Sequence, residues 1–245
     1  MPRGRLRTLS ALARVDALSV RRDPLLKWLA VYPLLLGGLA RWGWPVLADA
    51  LRSRYGLDPE VYRPLVGGFL LASLPMLAGL VVGFLLLDQR DDRTLEAIRV
   101  SPPGVGAYLA GRLALPMAVG ALLTLAVLPL SGFGLRPGAL VLAAAAAAPL
   151  APFYALLLGA FAANKVQGFA VSKASGLLLA MPVAAFLVRE PWQWLFGVFP
   201  VYWPAKLWWM LEAGGEGVPA VLAGGLFVQA AAVAWLWRRF RARQH

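Results

Sequence analysis

The sequence predicts an all-α polytopic membrane protein. It has six transmembrane helices, an N-terminal interfacial helix, a short helix in one polar connection, and re-entrant or interfacial helices between the fifth and sixth spans. Three observations predict this. The 245 residues are 60% hydrophobic with a mean hydropathy of +0.68, against roughly 45–50% apolar residues in soluble domains. Charge-free runs such as Leu65–Leu87 match the ~20 apolar residues that cross a ~30 Å hydrocarbon core. Lys and Arg gather on alternate connections, seventeen on the side of both termini and seven on the other, which makes the first side cytoplasmic. Residues 1–245 form one membrane domain of 25–237 between a basic leader and a basic tail.

Residues 1–24 are basic, with Arg7, Arg14 and Arg21 at heptad spacing on one stripe, as in a helix lying in the membrane interface. Asp23-Pro24 turns the chain into the bilayer. The first span is Leu25–Leu47, anchored by Lys27 and Trp28 at one end and by Trp42 and Trp44 at the other, with Pro33 as a kink. Ala48–Pro64 reads as a polar loop. Its Ala48-Asp49-Ala50 fits a leader-cleavage pattern, but the leader would be far too long and Arg41 interrupts it. The second span is Leu65–Leu87.

Asp88–Pro103, DQRDDRTLEAIRVSPP, is the long charged stretch between two apolar runs. Thr94–Val100 is predicted to be a short helix. Asp91 and Asp92 favour its N-terminus through the dipole, and Pro102-Pro103 stop it. Leu95 and Ile98 share a face.

The third span is Tyr108–Leu130, with Arg112 one turn in and able to snorkel. Ser131–Gly138 is a turn. The fourth span, Ala139–Ala163, carries the alanine run Ala143–Ala148, a smooth face for close helix approach. Asn164–Gly168 is a polar break, and Phe169–Val188 is the fifth span. Glu190–Glu212 is crowded with tryptophan and broken by Pro191, Pro200 and Pro204. It is expected as outer re-entrant or interfacial helices forming an aromatic belt. The sixth span is Val218–Trp237, and 238–245 is a basic cytoplasmic tail.

Chemistry is conspicuous by what is missing. There is no cysteine, and the one histidine, His245, is the last residue. No Gly-x-x-x-x-Gly-Lys-Ser/Thr occurs; GAFAANKV at 159–166 lacks the second glycine and the hydroxyl. No Asp or Glu falls mid-span, where a coupled carrier usually keeps one, and no His-Glu cluster could hold zinc. Ser172, Lys173 and Ser175 lie near a span end without a second base. The positive-inside distribution accounts for most of the net charge of +12, so nucleic acid is not needed as a partner, and the basic tail fits anionic lipid.

The string Arg93-Thr94-Leu95-Glu96-Ala97-Ile98-Arg99-Val100-Ser101-Pro102 resembles the loop after the second span of ABC-2 type transporter permeases. In that family an acidic pair, Thr-Leu-Glu and a Ser/Thr-Pro form the coupling helix that docks on the ATPase. Arg93 stands where many members carry glycine. Asn164-Lys165-Val166-Gln167-Gly168-Phe169 resembles the second cytoplasmic turn of the same permeases, and Pro191–Trp194 with Pro200–Trp209 resembles the segment between their last two spans. The likeness covers most of the chain from Asp88 to Trp209, and within the family it is nearest to the fluoroquinolone-export branch.

The resemblance implies a permease subunit without its own ATPase, which would export a hydrophobic or amphiphilic molecule, a drug-like compound or a lipid. Two permease copies, identical or different, would pair in a bacterial-type cytoplasmic membrane. Each would rest on a separate ABC ATPase that binds ATP and Mg, so no cofactor is expected in this chain. The ATPase-coupling residues implied are Asp92, Thr94, Leu95, Glu96, Ile98, Arg99, Asn164, Lys165 and Gln167. Leu95 and Ile98 would enter an apolar groove, with Glu96 and Arg99 at its rim. The competing classes are a membrane-embedded enzyme acting on lipid, which needs a polar catalytic cluster, and a secondary carrier, which needs a buried titratable residue and usually an inverted repeat.

Overall fold

A computed structural model describes residues 22–91 and 104–242, with residues 25 and 104–112 as backbone only. Among these the regular elements are all helical. The predicted interfacial helix of 1–24 lies outside the described residues up to 21.

Helix α1 spans Pro24–Tyr55. Pro24 opens it with a preset φ and no orphaned N–H, and the Asp23 Oδ1 accepts from the Leu26 N–H at 3.4 Å. The helix does not stop at Leu47. It absorbs the first part of the expected Ala48–Pro64 loop, up to Tyr55, and Arg52 and Arg54 in its last turn complement the dipole. Gly56, at φ 64°, closes it. The Gly56 N–H reaches the Arg52 carbonyl at 3.2 Å, the bond of an αL helix end, and the Leu57 N–H reaches the Leu51 carbonyl at 3.1 Å. A 3-10 turn, Pro59–Tyr62, follows, capped by Asp58.

Helix α2, Arg63–Asp91, is the axis of the molecule. It packs most extensively against α5, then against α3, α8 and α1. The other helices are α3 (Gly104–Leu130), α4 (Pro137–Ala147), α5 (Leu150–Phe161), α6 (Lys165–Gly176), α7 (Ala180–Leu187), α8 (Tyr202–Ala213) and α9 (Val218–Ala242). The main core runs along α2 and α5, with Phe84, Leu86, Leu87, Tyr154 and Leu158 fully enclosed. Close approach depends on missing side chains. A Cβ on Gly79 would collide with the Ala151 carbonyl oxygen of α5, and one on Gly67 with the Trp208 ring of α8. Small residues at helix contacts are how membrane helices gain dispersion energy when lipid is as apolar as they are.

Two predicted spans are interrupted. The fourth breaks at Ala148-Pro149 into α4 and α5, since a proline N cannot donate to the turn before it. The Ala146 carbonyl, in the last turn of α4, instead accepts from the Gln229 Nε2 of α9 at 3.0 Å. That is how a neighbouring helix satisfies backbone freed inside a membrane. The fifth begins at Lys165, so most of the expected polar break is helical, and a 3-10 turn at Leu177–Leu179 separates α6 from α7.

The tryptophan-rich segment forms a 3-10 turn, Trp192–Val198, and α8. Trp192 and Trp194 face outward, as a belt would, but Tyr202 and Trp208 are core residues. The Trp209 indole donates to the Pro64 carbonyl at 3.1 Å, and Glu212 takes both the Trp208 indole and Arg63, each at 3.1 Å. Lys206, expected as an outer surface charge, is buried and pairs with Glu190 and with the Gln193 Oε1, the latter at 2.9 Å.

Among the described residues, five stretches are long and apolar enough to cross a membrane: Pro59–Asp91, Leu113–Leu130, Pro137–Phe161, Lys165–Leu187 and Val218–Ala242. Helix α1 is not among them, although it is 32 residues long. Lys27, Arg41, Asp49, Arg52 and Arg54 dilute its apolar residues.

Candidate functional site

The start of α1, the end of α2, the start of α6 and the end of α9 meet at one end of the bundle. The segment 92–103 leaves from this junction. Asp92, Thr94, Leu95, Glu96, Ile98 and Arg99 lie outside the described residues, but Asp91, the last residue of α2, is part of the junction. Its Oδ2 accepts from the Lys165 backbone N–H at 3.4 Å. The end of α2, Asp91, is thus brought beside the start of Asn164–Gln167.

The turn into α6 is built by its own polar residues. Asn164 is extended at its backbone and caps the helix, its Oδ1 accepting from the Gln167 N–H at 3.0 Å. The Gln167 Oε1 reaches back to the Ala163 N–H at 2.9 Å. This reciprocal arrangement resembles a capping box and satisfies donors that a helix start leaves orphaned. The side chains of Asn164 and Gln167 are therefore committed to shaping the turn.

Lys165 does something different. Its Nζ lies between two carboxylates, pairing with Asp23 and with the Asp88 Oδ1 at 3.0 Å. One ammonium so ties α1, α2 and α6 together. All three groups are partly enclosed, at 29%, 23% and 32% side-chain exposure for Lys165, Asp23 and Asp88. The pairing is therefore stronger than a surface ion pair and weaker than a buried one. Close packing stands behind it: a Cβ on Gly168 would come 2.6 Å from Leu87 Cδ1, and Phe84 meets Phe169 at 5.2 Å between centroids.

Arg90 ties the end of α5 to the same place. Its Nη1 donates to the Ala162 carbonyl at 2.8 Å and its Nη2 to the Gly159 carbonyl at 3.2 Å, satisfying acceptors that a helix C-terminus leaves open. Its guanidinium also lies over the Phe240 ring of α9, 5.4 Å from the centroid. Arg239 does the same over Phe161 at 4.5 Å.

The junction is a mechanical assembly of ion pairs and caps. Among the described residues no group of His, Asp and Glu could hold a metal ion. The sequence reading named Asn164, Lys165 and Gln167, and did not name Asp23, Asp88, Arg90 or Phe240 as site residues. The one signal of Asp23, Asp88 and Arg90 was charge placed at the ends of apolar runs, which by itself names no partner.

Comparison with known proteins places the chain in a family. A family model described as fluoroquinolones export permease protein Rv2686c-like matches residues 16–237. The chain is 35% identical over 243 residues to the fluoroquinolones export permease protein Rv2686c of Mycobacterium tuberculosis strain ATCC 25618 / H37Rv, covering 97% of this chain and 95% of that one. It matches the protein MT2760 of strain CDC 1551 / Oshkosh, which carries the same description, at the same 35% identity and coverage. No solved structure matches.

Proposed function

The chain belongs to the Rv2686c-like family of fluoroquinolones export permeases, and on that premise we propose that it is the membrane subunit of an ATP-driven drug exporter. It is an integral membrane protein. In this reading six helices cross the cytoplasmic membrane, α1 being the first, since 32 residues at ~1.5 Å each exceed a ~30 Å core. Both termini and the Lys165 junction face the cytoplasm. A separate ABC ATPase supplies ATP hydrolysis and Mg, and two permease chains, most simply identical, complete the pathway. The cargo is a hydrophobic or amphiphilic compound of the fluoroquinolone kind.

The observation that carries the reading is the contact of Asp91 with the start of α6. Asp91 is the residue from which 92–103 continues, and in this reading the partner that binds 92–103 also meets Asn164–Gln167. Thr94–Arg99 is the main contact, with Asp92 at its entry. Leu95 and Ile98 fill an apolar groove, each contributing ~1.5–3 kcal/mol when buried. Glu96 and Arg99 set register at the rim, where an exposed pair contributes ~0–1 kcal/mol.

The test is the double substitution Leu95→Asp with Ile98→Asp in cells carrying the cognate ATPase. The expected outcome is normal amounts of folded permease, loss of ATPase co-purification and loss of fluoroquinolone resistance, with Glu96→Gln much milder. Normal export by the double variant would overturn the coupling assignment.

A further inference from the structure

A groove of about 450 Å³ lies between α1 and α3, with Leu34, Gly37, Arg41, Trp42, Val127 and Leu130 in its lining. It is at the end of the bundle opposite the Lys165 junction. Arg41 follows Pro24 by seventeen residues, roughly 25 Å along α1, which brings it from one bilayer boundary close to the other. The turn after α3 is at the same level: a Cβ on Gly132 would stand 3.4 Å from the Arg41 Nη1.

Two arginines flank that turn, and their fates differ. Arg63 is satisfied within the protein, by Glu212 at 3.1 Å, the Gly132 carbonyl at 3.1 Å and the Phe133 ring at 5.1 Å. Arg41 is exposed and forms no hydrogen bond or ion pair among the described residues. A permanent cation at this depth, with an apolar groove below it, is complementary to an anion that carries a greasy body.

The direction of the groove identifies which anion. Gly37 and Leu34 are one and two turns nearer the bilayer centre than Arg41, so the apolar floor runs inward from the charge, as acyl chains run from a headgroup. Gly37 lets Val127 of α3 approach, its Cβ position being 2.6 Å from Val127 Cγ1, and this closes the floor. The walls open sideways, with Leu34, Trp42 and Leu130 exposed by 59%, 75% and 69%. Trp42 stands at headgroup level, where indoles settle. A guanidinium binds a phosphate through two parallel hydrogen bonds.

We propose that this groove holds an anionic glycerophospholipid, its phosphate on Arg41 and its acyl chains along Leu34, Val127 and Leu130. The site rests on the six-span reading, because α1 must lie in the bilayer. That placement has its own test. A cysteine at Leu39 stays unlabelled by a membrane-impermeant maleimide in intact cells, and labelling would remove both the first span and this site.

The site itself is tested with the full-length chain in detergent, using native mass spectrometry with phosphatidylglycerol and phosphatidylcholine as probes. The wild-type chain is expected to retain phosphatidylglycerol about fivefold better, the effect of one basic residue at an anionic lipid surface. Arg41→Gln should abolish that preference, while Arg41→Lys and the control Arg136→Gln, at the same end of the bundle, should keep it. Equal retention of the two lipids would overturn the proposal, as would a preference unchanged in Arg41→Gln. Two further results would do the same: Arg41-dependent binding of norfloxacin without lipid preference, or a Trp42→Cys disulfide joining two copies across the groove.

Discussion

Lys165 holds apart two carboxylates that would otherwise face each other, so its loss removes an attraction and creates a repulsion at once. Lys165→Met is expected to lower stability by roughly 1–3 kcal/mol, the range for hydrogen bonds to charged groups, and nearer the lower figure because the cluster is about a third exposed. Drug resistance should fall further than the quantity of folded protein, because the Asp23 and Asp88 contacts fix α1 and α2 to the turn proposed to meet the ATPase. A melting curve in detergent, read beside a resistance assay, separates the two effects. Lys165→Met, with Asp88→Asn as the partner in a double-mutant cycle, should show coupling between the two positions. The sequence offered Lys165 as a cytoplasmic charge and, through the family resemblance, as a coupling residue, without either carboxylate partner. Its partners lie 142 and 77 residues away in the chain, and no local pattern announces pairings of that range. The Asn164–Gln167 spacing, by contrast, carried a helix-start signal that could be read locally.

Among the elements, α2 and α5 pack most extensively, and a Cβ on Gly79 would collide with the Ala151 carbonyl oxygen. Gly79→Val is expected to force the helices apart. Overpacking costs ~1–3 kcal/mol or more when the obstacle is backbone, so the variant should melt well below the wild type or fail to accumulate. Gly138→Ala in α4, where nothing lies within 4 Å, should leave the melting temperature unchanged or slightly raised. Most spans were legible because apolar length is a local property. The extension of α1 to Tyr55 was not, since Asp49, Arg52 and Arg54 look like a loop yet are acceptable in a helix. Composition also could not divide the tryptophans of 190–212 between belt and core. That depended on Gly67 and Gly68 leaving room on α2 for Trp208 and Trp209. Nor did it reveal Gln229, a single polar residue in an apolar run, as the donor to the broken fourth span.

For the molecule as a whole, the six-span reading fixes which side each connection faces. Reporter fusions at Gly4, Gly168 and His245 should report cytoplasm, and fusions at Leu57 and Gly215 the exterior. An exterior report at Gly168 would move the Lys165 junction to the wrong side of the membrane and exclude its contact with an ATPase. An exterior report at Gly4 alone would remove α1 as a span while leaving the other five in place.

The five apolar stretches do not share the lipid equally. The stretch ending in α2 is 94% enclosed over its most apolar window, against 22% for the last. During synthesis, however, α2 leaves the ribosome before α5 exists. It must first live surrounded by acyl chains, with its glycines as shallow dents in a greasy rod, and it is the most apolar of the five. The same composition thus serves two successive environments. A nascent chain halted before Leu150 should already hold α2 in the bilayer, and the arrival of α5 then replaces lipid with protein along a helix that needs no rearrangement to accept it.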